Sequence, residues 1–292
     1  MKVIMTILHI SDLHVEPVGK LAYVRANTAR RMIELTEWLR THEETYDAIV
    51  VTGDLSCDGN IDAYHLIDAI FRSLTRPCYM VPGNHDRRKP FLECLSHFCP
   101  GYFSPENLSY SVDLPEARLF MLDTLQPGKH WGAVPEPVLD WLEAELRETK
   151  KPSLVFCHHT PVKPGMGYMD EPFGGAERLI DMLSRQPDVR LCTGHLHRPV
   201  ATLAQNKVVV VTAPSVSLQM KLDLTPTGGD EFVFETPGYA LHKFLGDGWV
   251  THFPKPMRSG KTAALSLDKP RPAPGEAFAA WGRQPLRRRA AG

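Results

Sequence analysis

Five short polar clusters, each closing an apolar run, collect the residue types that hold a metal and activate water on it. Asp12 and His14 lie in His9-Ile10-Ser11-Asp12-Leu13-His14, and Asp54 follows Gly53. Asn84, His85 and Asp86 close Val81-Pro82-Gly83-Asn84-His85-Asp86. His158 and His159 precede Thr160-Pro161, and His195 and His197 lie in Gly194-His195-Leu196-His197. Carboxylate and amide oxygens with imidazole nitrogens suit Fe, Mn, Zn or Co. Taken singly, each cluster has a plain structural reading, since a strand-end Asp often caps a turn and an isolated His often sits on the surface or in a satisfied core. Five in one chain, each at the end of a strand, form a pattern that accident does not produce readily. Alternation along an extended segment places Asp12 and His14 on one side, and the His195/His197 spacing aims two imidazoles the same way.

The elements that carry these clusters follow from apolar runs of strand length: 3–10, 48–52, 78–81, 119–122, 153–157 and 189–193. Helical periodicity lies between them at 26–41, with apolar Met32, Ile33, Leu35, Trp38 and Leu39, and at 62–74, 137–148 and 176–184. Paired strands are expected at 201–203 with 208–212, at 232–235, and at 239–244 with 249–252, where Gly246-Asp247-Gly248 supplies a turn. The order βαβαβ followed by a strand-rich half predicts an α/β fold of two packed mixed β-sheets flanked by helices, a four-layer αββα sandwich. A β arm is expected to project over 217–237, within a catalytic domain spanning 1–254, and 255–292 reads as a Pro-rich basic tail. The segment 162–175, glycine-rich around Met166, Tyr168, Met169 and Phe173, reads either as a lid over a substrate or as a contact with the arm or a second copy. The arm offers a surface for a homo-oligomer.

With 43% hydrophobic and 23% charged residues, the chain has the composition of a folded globular protein. The formal net charge of -1 is unevenly spread. Nine basic and two acidic residues lie from Lys255 onward, which leaves 24 basic against 32 acidic before it. An acidic body argues against long nucleic acid as the main substrate, because that binding draws on cations facing phosphates. Six cysteines without a Cys-x-x-Cys pair read as reduced thiols, and with neither a signal-peptide pattern nor a membrane-length apolar run the expected location is cytoplasmic, off the membrane.

The series Asp12-Leu13-His14, Gly53-Asp54, Gly83-Asn84-His85-Asp86, His158-His159 and Gly194-His195-Leu196-His197 resembles the calcineurin-like metallophosphoesterases. Tyr79 to Asp86, Phe91 to Leu95 and Pro237 to His242 resemble their bacterial cyclic-nucleotide and glycerophosphodiester phosphodiesterase branch, over roughly 6–252. The resemblance implies that Asp12, His14 and His197 hold one metal, that Asn84, His158 and His195 hold the other, and that Asp54 bridges them. Water held between two such ions loses a proton near neutral pH and attacks phosphorus in line, with no covalent enzyme intermediate. His85, oriented by Asp86, is the first candidate to protonate the leaving group, and His159 is the second. The expected substrate is a small phosphodiester, either a 3',5'-cyclic nucleotide such as cAMP or a glycerophosphodiester. A phosphomonoesterase or nuclease on the same metal core is the alternative enzyme, and a metal-free protein-binding scaffold is the alternative of another class. His42, His65, His97, His130, His242 and His252 lack partner clusters in sequence and read as structural or exposed. Asp123 reads as a cap, and Arg198 as a phosphate contact or a surface ion pair.

Overall fold

Six consecutive buried residues, Met5–Ile10, form β1 at the centre of the first sheet. It pairs in parallel with β2 (Ala48–Thr52), which pairs in parallel with β3 (Cys78–Val81). Strands buried on both faces read as unbroken apolar runs, which is why these were visible in the sequence. The crossovers are α1 (Thr28–Thr41) and α2 (Ile61–Arg72). Both start on an Asn: Asn27 accepts from the Arg30 N–H and Asn60 from the Asp62 N–H, satisfying donors that have no partner inside the helix. In α1, Met32, Leu35 and Leu39 are buried at helical spacing, whereas Ile33 turns outward. The structure is a computed structural model and describes residues 4–255; the tail expected over 255–292 lies outside the described residues apart from Lys255, as does the expected strand start at Val3.

Next come α3 (Arg88–Leu95), β4 (Tyr110–Asp113), β5 (Arg118–Leu122), α4 (Glu136–Glu148), β6 (Ser153–Cys157), α5 (Ala176–Ser184) and β7 (Val189–Thr193). The hairpin β8 (Val200–Ala204) and β9 (Val208–Thr212) is followed by β10 (Gln219–Met220), β11 (Phe232–Val233), β12 (Ala240–Phe244) and β13 (Trp249–His252). The first sheet has the order β13-β12-β1-β2-β3 and the second β4-β5-β6-β7-β9-β8, while β10 and β11 pair alone as the arm. Antiparallel strands β12 and β13 close one edge of the first sheet; β4 and β8 close the two edges of the second, so both sheets are mixed.

Side-chain alternation builds the layers. In β5 and β6, Leu119, Met121, Leu154 and Phe156 join the core shared with the first sheet, α1 and α2. Phe120, Leu122, Val155 and Cys157 face the other way, against Val138, Leu139 and Leu142 of α4 and Leu179 and Leu183 of α5. This is the expected arrangement of helices, two sheets and helices. The sequence reading missed α3, whose eight residues begin Arg-Lys-Pro, and β4, a four-residue edge strand with little apolar content. Tyr110 of β4 ties the sheets together: its hydroxyl accepts from the Met80 N–H and directs its one proton to the carbonyls of Phe98, at 2.8 Å, and Met80, at 2.9 Å, which share it. All six cysteines are free thiols, and no helix among the described residues is long and apolar enough to cross a membrane.

Candidate metal centre

The five clusters follow β1, β2, β3, β6 and β7, all at the carboxyl ends of parallel strands, where loops of an α/β sheet form sites. The chain leaves β1, β2 and β7 through tight bends. Asp12, His14, Asp54, His195 and His197 have φ of 56°, 44°, 48°, 70° and 51°, in the left-handed region where a non-glycine residue costs roughly 1–3 kcal/mol. Asp12 and His14 thus reach one site through a backbone bend; the alternation of an extended strand expected from the sequence stops at Ile10. Bonds between loops hold these conformations: Asp12 N–H to the Gly53 carbonyl at 3.1 Å, His14 N–H to the Asp54 carbonyl at 2.8 Å, and Gly194 N–H to the His158 carbonyl at 2.9 Å. Gly53 permits a close approach, since a Cβ there would lie 2.6 Å from the Gly83 nitrogen and 2.7 Å from His158 Nδ1.

Asp12, His14, Asp54 and His197 form one buried group whose ligand atoms all lie within 4.8 Å of one another. His197 Nδ1 donates to the Leu218 carbonyl at 2.6 Å, so its Nε2 carries the free lone pair. That Nε2 lies 3.1 Å from His14 Nε2 and 3.4 Å from Asp12 Oδ1, and Asp54 Oδ2 is 3.5 Å from His14 Nε2. The outer nitrogen of His14, Nδ1, meets the Tyr23 hydroxyl at 3.2 Å. Burial pushes Asp12 up and His14 well down from their ordinary values.

A second group forms on the other side of Asp54. His158 Nδ1 donates to the Thr52 carbonyl at 2.7 Å, which turns its Nε2 toward Asn84 Oδ1 at 3.0 Å and Asp54 Oδ2 at 3.3 Å. A lone pair facing two oxygen acceptors requires a proton or a cation between them. Burial opposes charge on His158, but the Asp54 carboxylate prevails and lifts it to about 9. Burial likewise opposes charge on Asp54, and His158 and His85 outweigh it, holding that carboxyl well below its ordinary range. His195 Nε2 donates to Glu171 Oε2 at 3.0 Å, leaving Nδ1 as its lone pair. Its ring centroid stands 5.0 Å from that of His158. The donor set therefore fits hard or borderline cations: carboxylate, amide and imidazole atoms, with the free Nε2 of His14, His158 and His197 facing the carboxylates.

The proton-donor candidates separate clearly. His85 Nδ1 donates to the Cys57 carbonyl at 2.8 Å, and its ring centroid lies 4.9 Å from that of His14. Its orienting partner is that carbonyl, which corrects the expectation for Asp86. The Asp86 carboxylate accepts from the N–H groups of Gly83, Leu55 and Ser56 and from the Tyr64 hydroxyl, so it ties the β2 and β3 loops together and is occupied as a structural acceptor. His159 is buried, with Nδ1 2.7 Å from Thr124 Oγ1 and Nε2 without a hydrogen-bond partner among the described residues. Burial, reinforced by His158 and His195, pushes it well below its ordinary value, which disfavours the charged form a proton donor needs. It adjoins the second group, with ligand atoms of His158, His159 and His195 within 4.8 Å of one another.

Tyr23, Glu171 and His130 belong to the site and were missed. His130, set aside in the sequence as structural or exposed, donates through Nδ1 to Glu171 Oε1 at 2.8 Å, and its ring stands 4.7 Å from that of His195. Burial opposes charge on Glu171, yet its bonds with these two histidines bring it down to about 2. The segment 162–175 packs on the arm: the Tyr168 N–H donates to the Gly228 carbonyl at 3.1 Å, and Met166 and Met169 are buried with Leu196 and Met220. Arg198 pairs with Glu235 and the Met220 carbonyl, and Asp123 with Arg88 and the Leu108 and Leu125 N–H groups, so both are used structurally.

Residues 5–199, which include every candidate ligand, match the calcineurin-like phosphoesterase family. A probable glycerophosphodiester phosphodiesterase of Arcobacter nitrofigilis is 34% identical over 254 residues, covering 85% of this chain and 92% of that one. The 3',5'-cyclic adenosine monophosphate phosphodiesterase of Escherichia coli is 28% identical over 250 residues, covering 84% and 87%. Among solved structures, a dimetal phosphatase from Danio rerio shares the fold with a TM-score of 0.65 at 16% identity, covering 87% of this chain and 97% of that one.

Proposed function

The chain belongs to the calcineurin-like phosphoesterase family and is a hydrolase, and from that premise we propose that it is a binuclear-metal phosphodiesterase acting on small phosphodiesters. Asp12, His14 and His197 would hold one ion and Asn84, His158 and His195 the other, with Asp54 between them. One observation carries this reading. His14, His158 and His197 each engage an outer nitrogen, with Tyr23, Thr52 and Leu218 as the partners, and turn the other nitrogen toward Asp54 and its neighbours, while His195 engages its Nε2 with Glu171 beside His158. The set contains no thiolate, which favours Fe, Mn, Zn or Co.

Two such ions, when bound, supply an activated water and neutralise charge on the phosphoryl oxygens. The chain's own groups do the rest. With Nδ1–H fixed on the Cys57 carbonyl, His85 in its imidazolium form passes the proton on Nε2 to the leaving alkoxide and is left neutral. No Ser or Cys is required as nucleophile. The small-diester reading rests on the named activities of the two relatives and on the acidic charge before Lys255, which disfavours long nucleic acid. The Tyr23 ring against Phe232 and the His130 ring against Tyr168 offer aromatic faces for the alcohol or base portion. Leu222, Leu224 and Phe234, exposed on and around the arm, support its reading as a contact for a second copy, which sedimentation of an L224E/F234E variant tests.

The decisive experiment is a substrate panel on metal-defined enzyme: bis(p-nitrophenyl) phosphate, p-nitrophenyl phosphate, cAMP, glycerophosphocholine and single-stranded DNA. Turnover of one small diester above the monoester and the DNA is expected. Monoester activity far above every diester would sink the diester assignment, and fewer than one ion per chain with no turnover would favour a scaffold.

A further inference from the structure

Glu171 lies outside both proposed ligand sets, yet it engages one of their members. Three of the four histidines rest their outer nitrogens on neutral oxygens, the Thr52 and Leu218 carbonyls and the Tyr23 hydroxyl. His195 rests its own on a carboxylate, Glu171 Oε2, 3.0 Å away, delivered by the segment 162–175. We propose that Glu171 is a positioning residue for the second ion: it fixes His195 in the tautomer that ligates through Nδ1 and makes occupancy of that ion depend on the docking of this segment.

A neutral imidazole has one lone pair, and Nε2–H donating to Glu171 places it on Nδ1. A carboxylate in that position also raises the basicity of the ligating nitrogen. The main chain of His195 is held separately, its N–H donating to Asp12 at 3.2 Å, so Glu171 is left to set the ring. Glu171 is constrained in turn by His130 Nδ1, 2.8 Å from Oε1, so that both carboxylate oxygens are engaged by imidazoles. The segment is fixed by further contacts, among them the Gly174 N–H donating to the Gly132 carbonyl at 2.9 Å. Asp170 accepts the Gly165 and Met166 N–H groups at 2.7 and 3.2 Å, and Gly167 packs where a Cβ would meet the Thr225 carbonyl of the arm region at 2.6 Å.

This inference rests on the binuclear reading, and the test separates the two. Metal-free enzyme is titrated with Co²⁺ by calorimetry and visible absorption for wild type, Glu171→Gln, Glu171→Asp and His130→Ala, with Lys163→Ala, exposed on the same segment, as the control. Glu171→Gln is expected to weaken the second ion roughly ten- to hundredfold while leaving the first ion and the metal-free melting temperature unchanged. Glu171→Asp should recover part of the loss through its charge, and Lys163→Ala should match wild type. Equal second-ion affinity in Glu171→Gln and wild type would overturn the positioning role. So would a third ion in wild type that is lost in both Glu171→Gln and His130→Ala, because Glu171 would then be a ligand. Fewer than two ions on wild type would overturn the binuclear reading, and this inference with it.

Discussion

Asp54 and His85 are joined through the backbone: Asp54 Oδ1 accepts the His85 N–H at 2.9 Å, while Oδ2 of the same carboxylate faces His14 Nε2 at 3.5 Å and His158 Nε2 at 3.3 Å. One side chain therefore stands between the two ligand groups and also anchors the loop that presents Asn84 and His85. The proposed ligands and the proposed proton donor are thus placed by a single buried carboxylate.

Asn84→Ala removes an amide oxygen from a partly exposed loop without emptying the core. Folding stability of the metal-free protein should change by less than about 1 kcal/mol. The second ion should bind more weakly, and turnover at limiting metal should fall. Melting with and without added Mn²⁺, run beside kinetics, checks this. Unchanged activity at limiting metal would remove Asn84 from the ligand set.

His85→Ala should leave two ions bound and slow the reaction by roughly 10²–10⁴ for alkyl leaving groups, the range expected for loss of a general acid. Nitrophenyl esters, whose leaving group needs little protonation, should suffer much less. Rates across a leaving-group series measure this directly, and an equal loss for both kinds of ester would contradict the assignment.

Asp86→Ala should act on stability. It leaves three buried N–H groups and the Tyr64 hydroxyl without their acceptor. Hydrogen bonds to a charged group are worth about 1.5–3 kcal/mol each, so a loss of roughly 3 kcal/mol or more is expected. Urea midpoints report it. The pH profile of kcat for the protein that remains folded should keep its wild-type shape, and a lost acid limb at unchanged stability would restore a catalytic role.

His9 and His242 form a buried pair away from the ligand groups, with His9 Nδ1 3.1 Å from His242 Nε2 and His9 Nε2 2.8 Å from Thr52 Oγ1. Burial, then the Arg190 guanidinium, pushes His242 down to about 3; burial, then His242, holds His9 well below its ordinary value. Both are neutral when folded and take up a proton near 6.5 when unfolded. Their contribution is thus complete above pH 6.5 and is lost as pH falls from there toward 3, at about 1.4 kcal/mol per pH unit for each proton. In metal-free protein His242→Gln should make the fall in stability between pH 6.5 and 4 shallower. Urea midpoints across that interval giving the same slope as wild type would contradict it.

Much of the site was legible because its signals are local. The unbroken runs 48–52 and 153–157 name central strands, and the polar residues that close them, Asp54 and His158, name the edge on which the loops gather. The αββα layering followed from the order of those runs, whereas α3 and β4 were too short to give a period that could be read. The residue types of the seven candidate ligands are likewise a property of the chain alone.

What tertiary structure decided is the direction of each hydrogen bond and the partners that come from afar. Which nitrogen of His158 or His195 turns inward depends on whether the Thr52 carbonyl or Glu171 meets the other, and neither adjoins it in sequence. Asp86 follows His85 directly, yet the strand ends turn it to the Gly83, Leu55 and Ser56 amides and leave the Cys57 carbonyl to orient His85. His130 and Glu171 meet across 41 positions because Gly174 pairs through the main chain with Gly132 and Val134, which brings the segment 162–175 beside the His130 loop. The sequence by itself determined which atoms could hold a cation and on which edge of the sheets; the fold decided where their lone pairs point, because an imidazole has two nitrogens and only a packed neighbour selects between them.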